Sequence, residues 1–485
     1  MVEHPVIVWF RQDLRLSDNP ALAAAVGSGR PVLPVYLLDD ATPGRWRRGG
    51  ASRWWLHASL ERLSADLADL GAPLLLRSGD AAEAIPDLVR STGAAAIYWN
   101  RCYEPFAVDR DSRIKADVTA LGIDVESYNG NLLFEPWEVR NQAGDGYKAF
   151  TPFWKACLRL PEPPVPIPAP KRMRGWTDAP KGNELVNWQL QPMKPDWAAG
   201  LRRSWVPGEA GARHRLQAFM ERVLTGYATE RDLPAIDATS RLSPYLHFGE
   251  ISPRTIWHAV THAAAGREGS AKAEAIAKFL SEIGWREFSH HLLFHFPGLP
   301  ERNLRADFDG FPWSDDSALL RAWQRGRTGY PIVDAGMRQL WHTGWMHNRV
   351  RMVVASFLIK DLLVDWRHGE AWFWDTLVDA DLANNAASWQ WVAGSGADAA
   401  PYFRIFNPVL QGERFDPEGA YVRRWVPELA ALPDSRIHRP WTAPDAMLLQ
   451  SNVKLGETYP HRIVDHGKAR ARALAAYKTI TRGAA

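Results

Sequence analysis

Pro161 to Pro170 reads PEPPVPIPAP, a run that can enter neither a helix nor a sheet interior and that favours extended polyproline geometry. It marks a connector. Proline and glycine stay frequent to about Pro207, so an irregular stretch is expected between Leu160 and Gly211. On its N-terminal side, short apolar runs at Val6–Phe10, Val32–Leu38, Leu74–Arg77 and Ala95–Trp99 alternate with amphipathic segments such as Ser52–Leu70. That alternation predicts a doubly wound parallel sheet covered by helices on both faces. On its C-terminal side the periodicity is helical, at Ala212–Leu224, Ser270–Phe296, Ala318–Gln324, Ile332–His342, Asn348–Leu363, Ala371–Leu377 and Lys468–Tyr477. The fold class expected is an α/β domain over 1–135, a linker over 136–210 and an all-α domain over 211–485.

A chain of 485 residues exceeds one ordinary core, which agrees with this division. Hydrophobic residues at 46% and charged ones at 23% give the balance of a soluble globular protein, and the net charge of +3 is too small to argue for nucleic acid by itself. Cys102 and Cys157 supply neither a disulfide framework nor a thiolate cluster. The first apolar run meets Arg11 and Asp13 too soon for a secretory signal or a membrane span, so a soluble, cytoplasmic protein is expected. No phosphate loop, no dinucleotide glycine motif after the first strand, and no metal-ligand spacing occurs. The 24 tryptophans, against 12 tyrosines, are the unusual feature, suited to core filling and also to stacking on bases or moving single electrons.

Four segments concentrate polar chemistry. TSRLSP, Thr239 to Pro244, sets three hydroxyls and an arginine at a helix start, either an ordinary N-cap or a seat for a phosphate ester. SEIGWREF, Ser281 to Phe288, puts Glu282, Trp285 and Arg286 on one helical face, where a solvated Glu–Arg pair is the plain alternative. WMHNRVRM, Trp345 to Met352, aligns Asn348 with Arg351 and Met352 and turns Arg349 aside. DADLANNAASWQW, Asp379 to Trp391, aligns Asp381, Asn385 and Trp389 at successive fourth residues. Carboxylates and amides facing the inside of an aromatic helical domain need partners, and an isoalloxazine edge would supply them.

With WFRQDLRLSDNPAL from Trp9, PYFRIFNP at Pro401 to Pro408 and FDPEGAYVRRWVPEL from Phe415, these segments resemble the photolyase and cryptochrome family almost end to end. The resemblance is to the third class of cyclobutane pyrimidine dimer photolyases, the nearest relatives of plant cryptochromes. It implies FAD in the helical domain. Tyr227, Thr239, Ser240, Arg241, Leu242 and Ser243 would hold its phosphates and ribityl chain with Arg286. Arg351 and Asp379 would form an ion pair beside the flavin, Asp381 would lie at the ribityl and adenine side, and Asn385 would face N5. The activity implied is light-driven DNA repair, by electron transfer from photoexcited reduced FAD into a dimer flipped out of DNA. Trp285 and Trp391 would pack on the fused pyrimidines, Met352 would touch them, Glu282 and Asn348 would hydrogen-bond their carbonyl or flavin-adjacent groups, and Arg231 and Arg349 would grip phosphates. Trp389, Trp366 and Trp313 match the family's photoreduction chain.

The antenna site departs from the commonest bacterial pattern, since Phe106 and Ala107 stand where an asparagine and a glutamate bind folate, and Pro300 and Glu301 where a lysine is expected. The antenna expected is 5,10-methenyltetrahydrofolate, with 8-hydroxy-5-deazaflavin as the competitor; Trp54 and Trp55 are either pterin-stacking or core. DNA carrying cyclobutane dimers is the expected partner, with no membrane, no metal, and a monomeric state. The alternative function is a cryptochrome-type blue-light photoreceptor acting through a protein partner, which would more often carry aspartate near N5 and a long C-terminal tail. The 6-4 photoproduct enzymes use a histidine pair at the lesion, where this chain has His347 and Asn348.

Overall fold

The computed structural model describes residues 3–264, 271–398 and 404–481. Ser270 of the helix expected at Ser270–Phe296, and Pro401, Tyr402 and Phe403 of the PYFRIFNP segment, lie outside these residues. By packing the chain divides into two compact units, Met1–Thr225 with Ser240–Pro297 and Val378–Asp381, and Gly226–Thr239 with Gly298–Leu377 and Leu382–Ala485.

The first unit holds a five-stranded parallel sheet ordered β3-β2-β1-β4-β5, with β1 Val6–Phe10, β2 Val32–Leu38, β3 Leu75–Ser78, β4 Ala96–Asn100 and β5 Asp124–Tyr128. The register pairs Val6 with Val32 on one side of β1 and with Ala96 on the other. The crossovers run through helices α1 Pro20–Gly27, α2 Gly50–Asp69, α3 Ala81–Thr92 and α4 Pro105–Ala120. Every residue of β1 and β2 is buried, as strands covered on both faces must be, and for that reason they read as unbroken apolar runs. Strand β5 escaped the sequence reading because it is an edge strand with Val125 as its only buried residue.

The irregular stretch after α5, Phe150–Cys157, is strapped to the sheet rather than loose. Val32 N donates to Arg174 O (2.7 Å), Trp176 N to Val32 O (3.0 Å), Asn183 N to Leu76 O (2.8 Å), and Ile167 N to the buried Asp18 carboxylate (3.1 Å). These bonds satisfy backbone groups that proline-rich extended chain cannot pair internally.

In the same unit the helix Ala271–His295 carries a buried face, Ile276, Phe279, Ile283, Phe288 and Leu292 among its residues. Glu287 in that face accepts Leu133 N (2.9 Å) and Phe134 N (3.2 Å), and burial pushes its carboxyl up to about 7.

The described second unit is helical, with helices at Ser317–Gln324, Pro331–Thr343, Asn348–Ser356, Trp366–Thr376, Leu382–Ala393, Pro408–Phe415, Ala420–Trp425 and His466–Thr481. The helix from Asn348 runs on as a wider turn over Phe357–Asp361, which accounts for the single long segment read from sequence. The helix expected at Ala371–Leu377 begins five residues earlier, at Trp366, because Asp365 caps it by accepting Arg367 N (2.9 Å).

Candidate functional site

In the first unit the segment from Ser240 leads into the short helix Ser243–His247. No side chain caps that helix, although Ser240 and Ser243 stand at its start, so an ordinary N-cap does not account for them. Ser243 Oγ donates instead to Asp379 Oδ2 (2.6 Å), and Ser240 O accepts from Arg215 Nε (2.9 Å). Arg241 sits at φ +49°, in the left-handed region that a non-glycine residue enters only where its surroundings hold it. Ser240 Oγ in turn accepts Leu242 N (3.4 Å), and hydroxyls, a guanidinium and backbone N–H gathered on this turn are the donor types that a phosphate ester takes.

Asp381 is the electrostatic focus of this unit. The helix begins at Leu382, so Asp381 precedes it rather than riding on its face with Asn385 and Trp389 as the spacing suggested. His290 Nε2 lies 3.4 Å and His247 Nδ1 4.0 Å from its carboxylate. Burial would raise this carboxyl, but His290, with His247 and Arg286, outweighs burial and holds it well below the usual range. The group is therefore a permanent buried anion. His290 Nδ1 faces Arg286 O (3.0 Å), and Arg286 Nη1 donates to Asn131 O (2.8 Å) beside Glu287 (3.5 Å). Sequence reasoning missed both histidines, though His290 follows Arg286 by four residues and so shares its face.

Glu282 and Trp285 are half-buried on the same helix, with Lys278 3.8 Å from Glu282. Trp54 and Trp55 are core side chains. Trp55 stacks near-parallel on Phe248 (5.9 Å), meets Trp205 and Tyr245 edge-on, and donates to the buried Glu250 (3.2 Å), which leaves neither face open to a pterin. Ala107 is buried on the inner side of α4, and Phe106 is half-buried.

In the second unit Asn385 is buried, and its Nδ2 donates to Glu370 O (3.0 Å). One amide hydrogen is thus fixed and the plane of the side chain with it. One turn on, Trp389 is buried edge-on against Phe373 (5.0 Å) and Trp323 (6.3 Å), and a methyl group on Gly369 would fall on its indole. Trp323, which sequence reasoning did not single out, is fully buried and donates to Val354 O (2.9 Å). Trp366 is fully buried with its indole N–H on Asn303 Oδ1 (3.0 Å). Trp313 is half-buried beside Phe311 (4.3 Å). Trp389 and Trp366 are thus sealed from solvent and Trp313 is partly exposed.

The helix Asn348–Ser356 starts on His347, a buried N-cap whose Nδ1 accepts Arg349 N (3.2 Å). Burial lowers His347 to about 4, so it stays a neutral acceptor at physiological pH. Asn348 is exposed, and Arg351 and Met352 are half-buried. Arg349 reaches Asp232 (2.6 Å) and lies 4.5 Å over the Phe415 ring. Arg351 Nε donates to Met346 O (2.8 Å), Trp391 Nε1 to Asp398 O (3.2 Å), and Arg231 lies over the buried Tyr227 ring (5.3 Å). Among the described residues no helix is long and apolar enough to cross a membrane, and no three His, Cys, Asp or Glu side chains gather to hold a metal.

Residues 6–171 match the family model described as DNA photolyase, and residues 279–479 the one described as the FAD binding domain of DNA photolyase. The chain is 54% identical over 98% of its length to a deoxyribodipyrimidine photo-lyase of Agrobacterium fabrum, 98% of which is covered. It is 43% identical over 96% of its length to cryptochrome-1 of Arabidopsis thaliana, 69% of which is covered. The crystal structure of a bacterial class III photolyase from Agrobacterium tumefaciens superposes with a TM-score of 0.95 at 53% identity, covering 99% of this chain and 98% of that one. A five-stranded parallel α/β sheet, a helical FAD-binding region and near full-length identity above one half place the chain in the photolyase and cryptochrome family.

Proposed function

We propose that this chain binds FAD and uses light to split cyclobutane pyrimidine dimers in DNA. The observation that carries the repair reading over the photoreceptor one is its higher identity to the photo-lyase relative than to the cryptochrome, joined to an asparagine at 385. When bound, reduced FAD supplies the photoexcited electron; the chain's own residues bind, orient and polarise.

Tyr227, Thr239, Ser240, Arg241, Leu242, Ser243 and Arg286 are assigned to the FAD phosphates and ribityl chain, and Asp381 to the ribityl and adenine side. Arg351 and Asp379 are assigned to the flavin ring as an ion pair, and Asn385 to its N5, where an N–H donor favours an anionic ring without adding charge. Glu282 and Asn348 hydrogen-bond the lesion carbonyls, stabilising charge that exists only after the electron arrives. Trp285, Trp391 and Met352 hold the two pyrimidines, Arg231 and Arg349 the flanking phosphates, and Trp389, Trp366 and Trp313 carry electrons inward during photoreduction. In functional terms 1–135 is the antenna-binding stretch, 136–210 the linker and 211–485 the FAD- and lesion-binding stretch. The antenna is 5,10-methenyltetrahydrofolate rather than 8-hydroxy-5-deazaflavin, held without Trp54 and Trp55, in a monomeric cytoplasmic protein.

Binding in the dark separates the two functions. A repair enzyme loaded with FAD prefers a duplex carrying one thymine dimer over the same duplex undamaged, because a dimer is cheap to extrude and fills the pocket. A photoreceptor shows equal affinity for both, and that result would refute the repair reading.

A further inference from the structure

Phe150 and Trp285 form a tight parallel ring contact, with centroids 3.9 Å apart and planes 9° from parallel. Aromatic pairs left to their own energetics prefer larger offsets or edge-on contact at 4.5–7 Å. This pair is almost face to face in a cluster of rings that crowds it from the Phe150 side and from the flank. Phe150 opens α5, and Trp154, one turn later on the same face, lies 12° from parallel to it at 6.4 Å. Phe288 meets the edges of both Phe150 (6.0 Å) and Trp285 (5.8 Å). Gly284, immediately before Trp285, is what admits α5 so close, since a Cβ there would lie 2.7 Å from the Trp154 ring.

We infer that Phe150 is a positioning residue for lesion recognition, fixing the plane of the Trp285 indole so that one dimer base stacks on a platform already built. The inference rests on the reading of Trp285 as lesion-facing. A half-buried tryptophan free to change rotamer would lose that freedom on binding; stacked on Phe150 it has lost it beforehand, and affinity gains what ordering would have cost. Undamaged duplex, which presents no extruded base, draws nothing from this preorganisation. The effect is therefore confined to lesion selectivity.

A double-mutant cycle of Phe150→Leu and Trp285→Leu in the FAD-loaded protein, reading the ratio of affinities for dimer-containing and undamaged DNA, tests this. Phe150→Leu is expected to lower the ratio about 5- to 10-fold, a part of what one base–aromatic stack contributes. In the Trp285→Leu background it should lower the ratio no further, and Phe150→Tyr, which keeps the ring, should retain it, all with FAD content unchanged. Trp285→Leu lowering the ratio while Phe150→Leu leaves it intact, or equal losses from Phe150→Leu in both backgrounds, or Phe150→Tyr as poor as Phe150→Leu, overturns the role of Phe150 alone. A Trp285→Leu protein with undiminished selectivity overturns the lesion-facing reading, and the inference with it.

Discussion

Asn385 spends one amide hydrogen on Glu370 O, which holds its plane and aims its second N–H in a single direction. In Asn385→Asp that donor becomes a carboxylate facing a backbone carbonyl. If Asn385 serves the flavin N5, the reduced cofactor in this variant reoxidises in air several-fold faster than in the parent, followed by absorbance; an unchanged lifetime removes Asn385 from that role. Glu282 bears on a later step. Glu282→Ala should keep its full FAD content yet lose about an order of magnitude in dimer splitting per absorbed photon, the scale of removing one group aimed at transient charge. Equal yields would take Glu282 out of the mechanism. At this scale the sequence identified residues but not their company. Asp381 and Asn385 stand out by spacing and Arg349 by the resemblance, whereas His247, His290, Glu370 and Asp232, which partner them, lie elsewhere in the chain and are ordinary in their own contexts.

The helix Asn348–Ser356 depends on a neutral imidazole at its N-cap, and this couples the element to pH. The unfolded chain protonates a histidine near 6.5, whereas burial, opposed only in part by Asp232, lowers folded His347 to about 4. Between these values the unfolded state binds the extra proton. Stability is therefore full above about pH 6.5 and falls as pH drops toward 4, by up to about 3 kcal/mol from this group. Denaturant unfolding of the parent and of His347→Asn, which caps without titrating, should show the difference between them narrowing as pH falls over that window; a constant difference contradicts it. The helices Trp366–Thr376 and Leu382–Ala393 meet where Gly369 makes room for Trp389. Trp389→Phe should abolish photoreduction of oxidised FAD while chemically reduced protein still repairs, and full-rate photoreduction would mean that electrons do not enter through Trp389. Elements buried on both faces, such as β1 and β2, were legible to the residue. The edge strand β5 and the first turn of the helix from Trp366 were not, since one pairs by backbone alone and the other is set by an Asp365 cap in an aromatic context.

For the whole molecule, composition separated an α/β half from a helical half correctly because hydrophobic period is a local property. It could not show that Ser240–Pro297 and Val378–Asp381 pack in one unit with residues up to Thr225, because that grouping rests on long-range bonds such as Ser243 to Asp379 and Asp18 to Arg254. The irregular chain that follows the proline-rich run reads as a connector, and its bonds to the sheet through Arg174, Trp176 and Asn183 join partners too distant in sequence for that reading to reveal. The activity of the whole molecule is the restoration of DNA by absorbed light. Protein carrying reduced FAD, mixed with an oligonucleotide containing one cyclobutane thymine dimer, should return intact thymines under blue light and none in the dark, with recovery rising in proportion to the dose. Equal recovery in light and dark, or no recovery from a protein that holds its full complement of FAD, would contradict it.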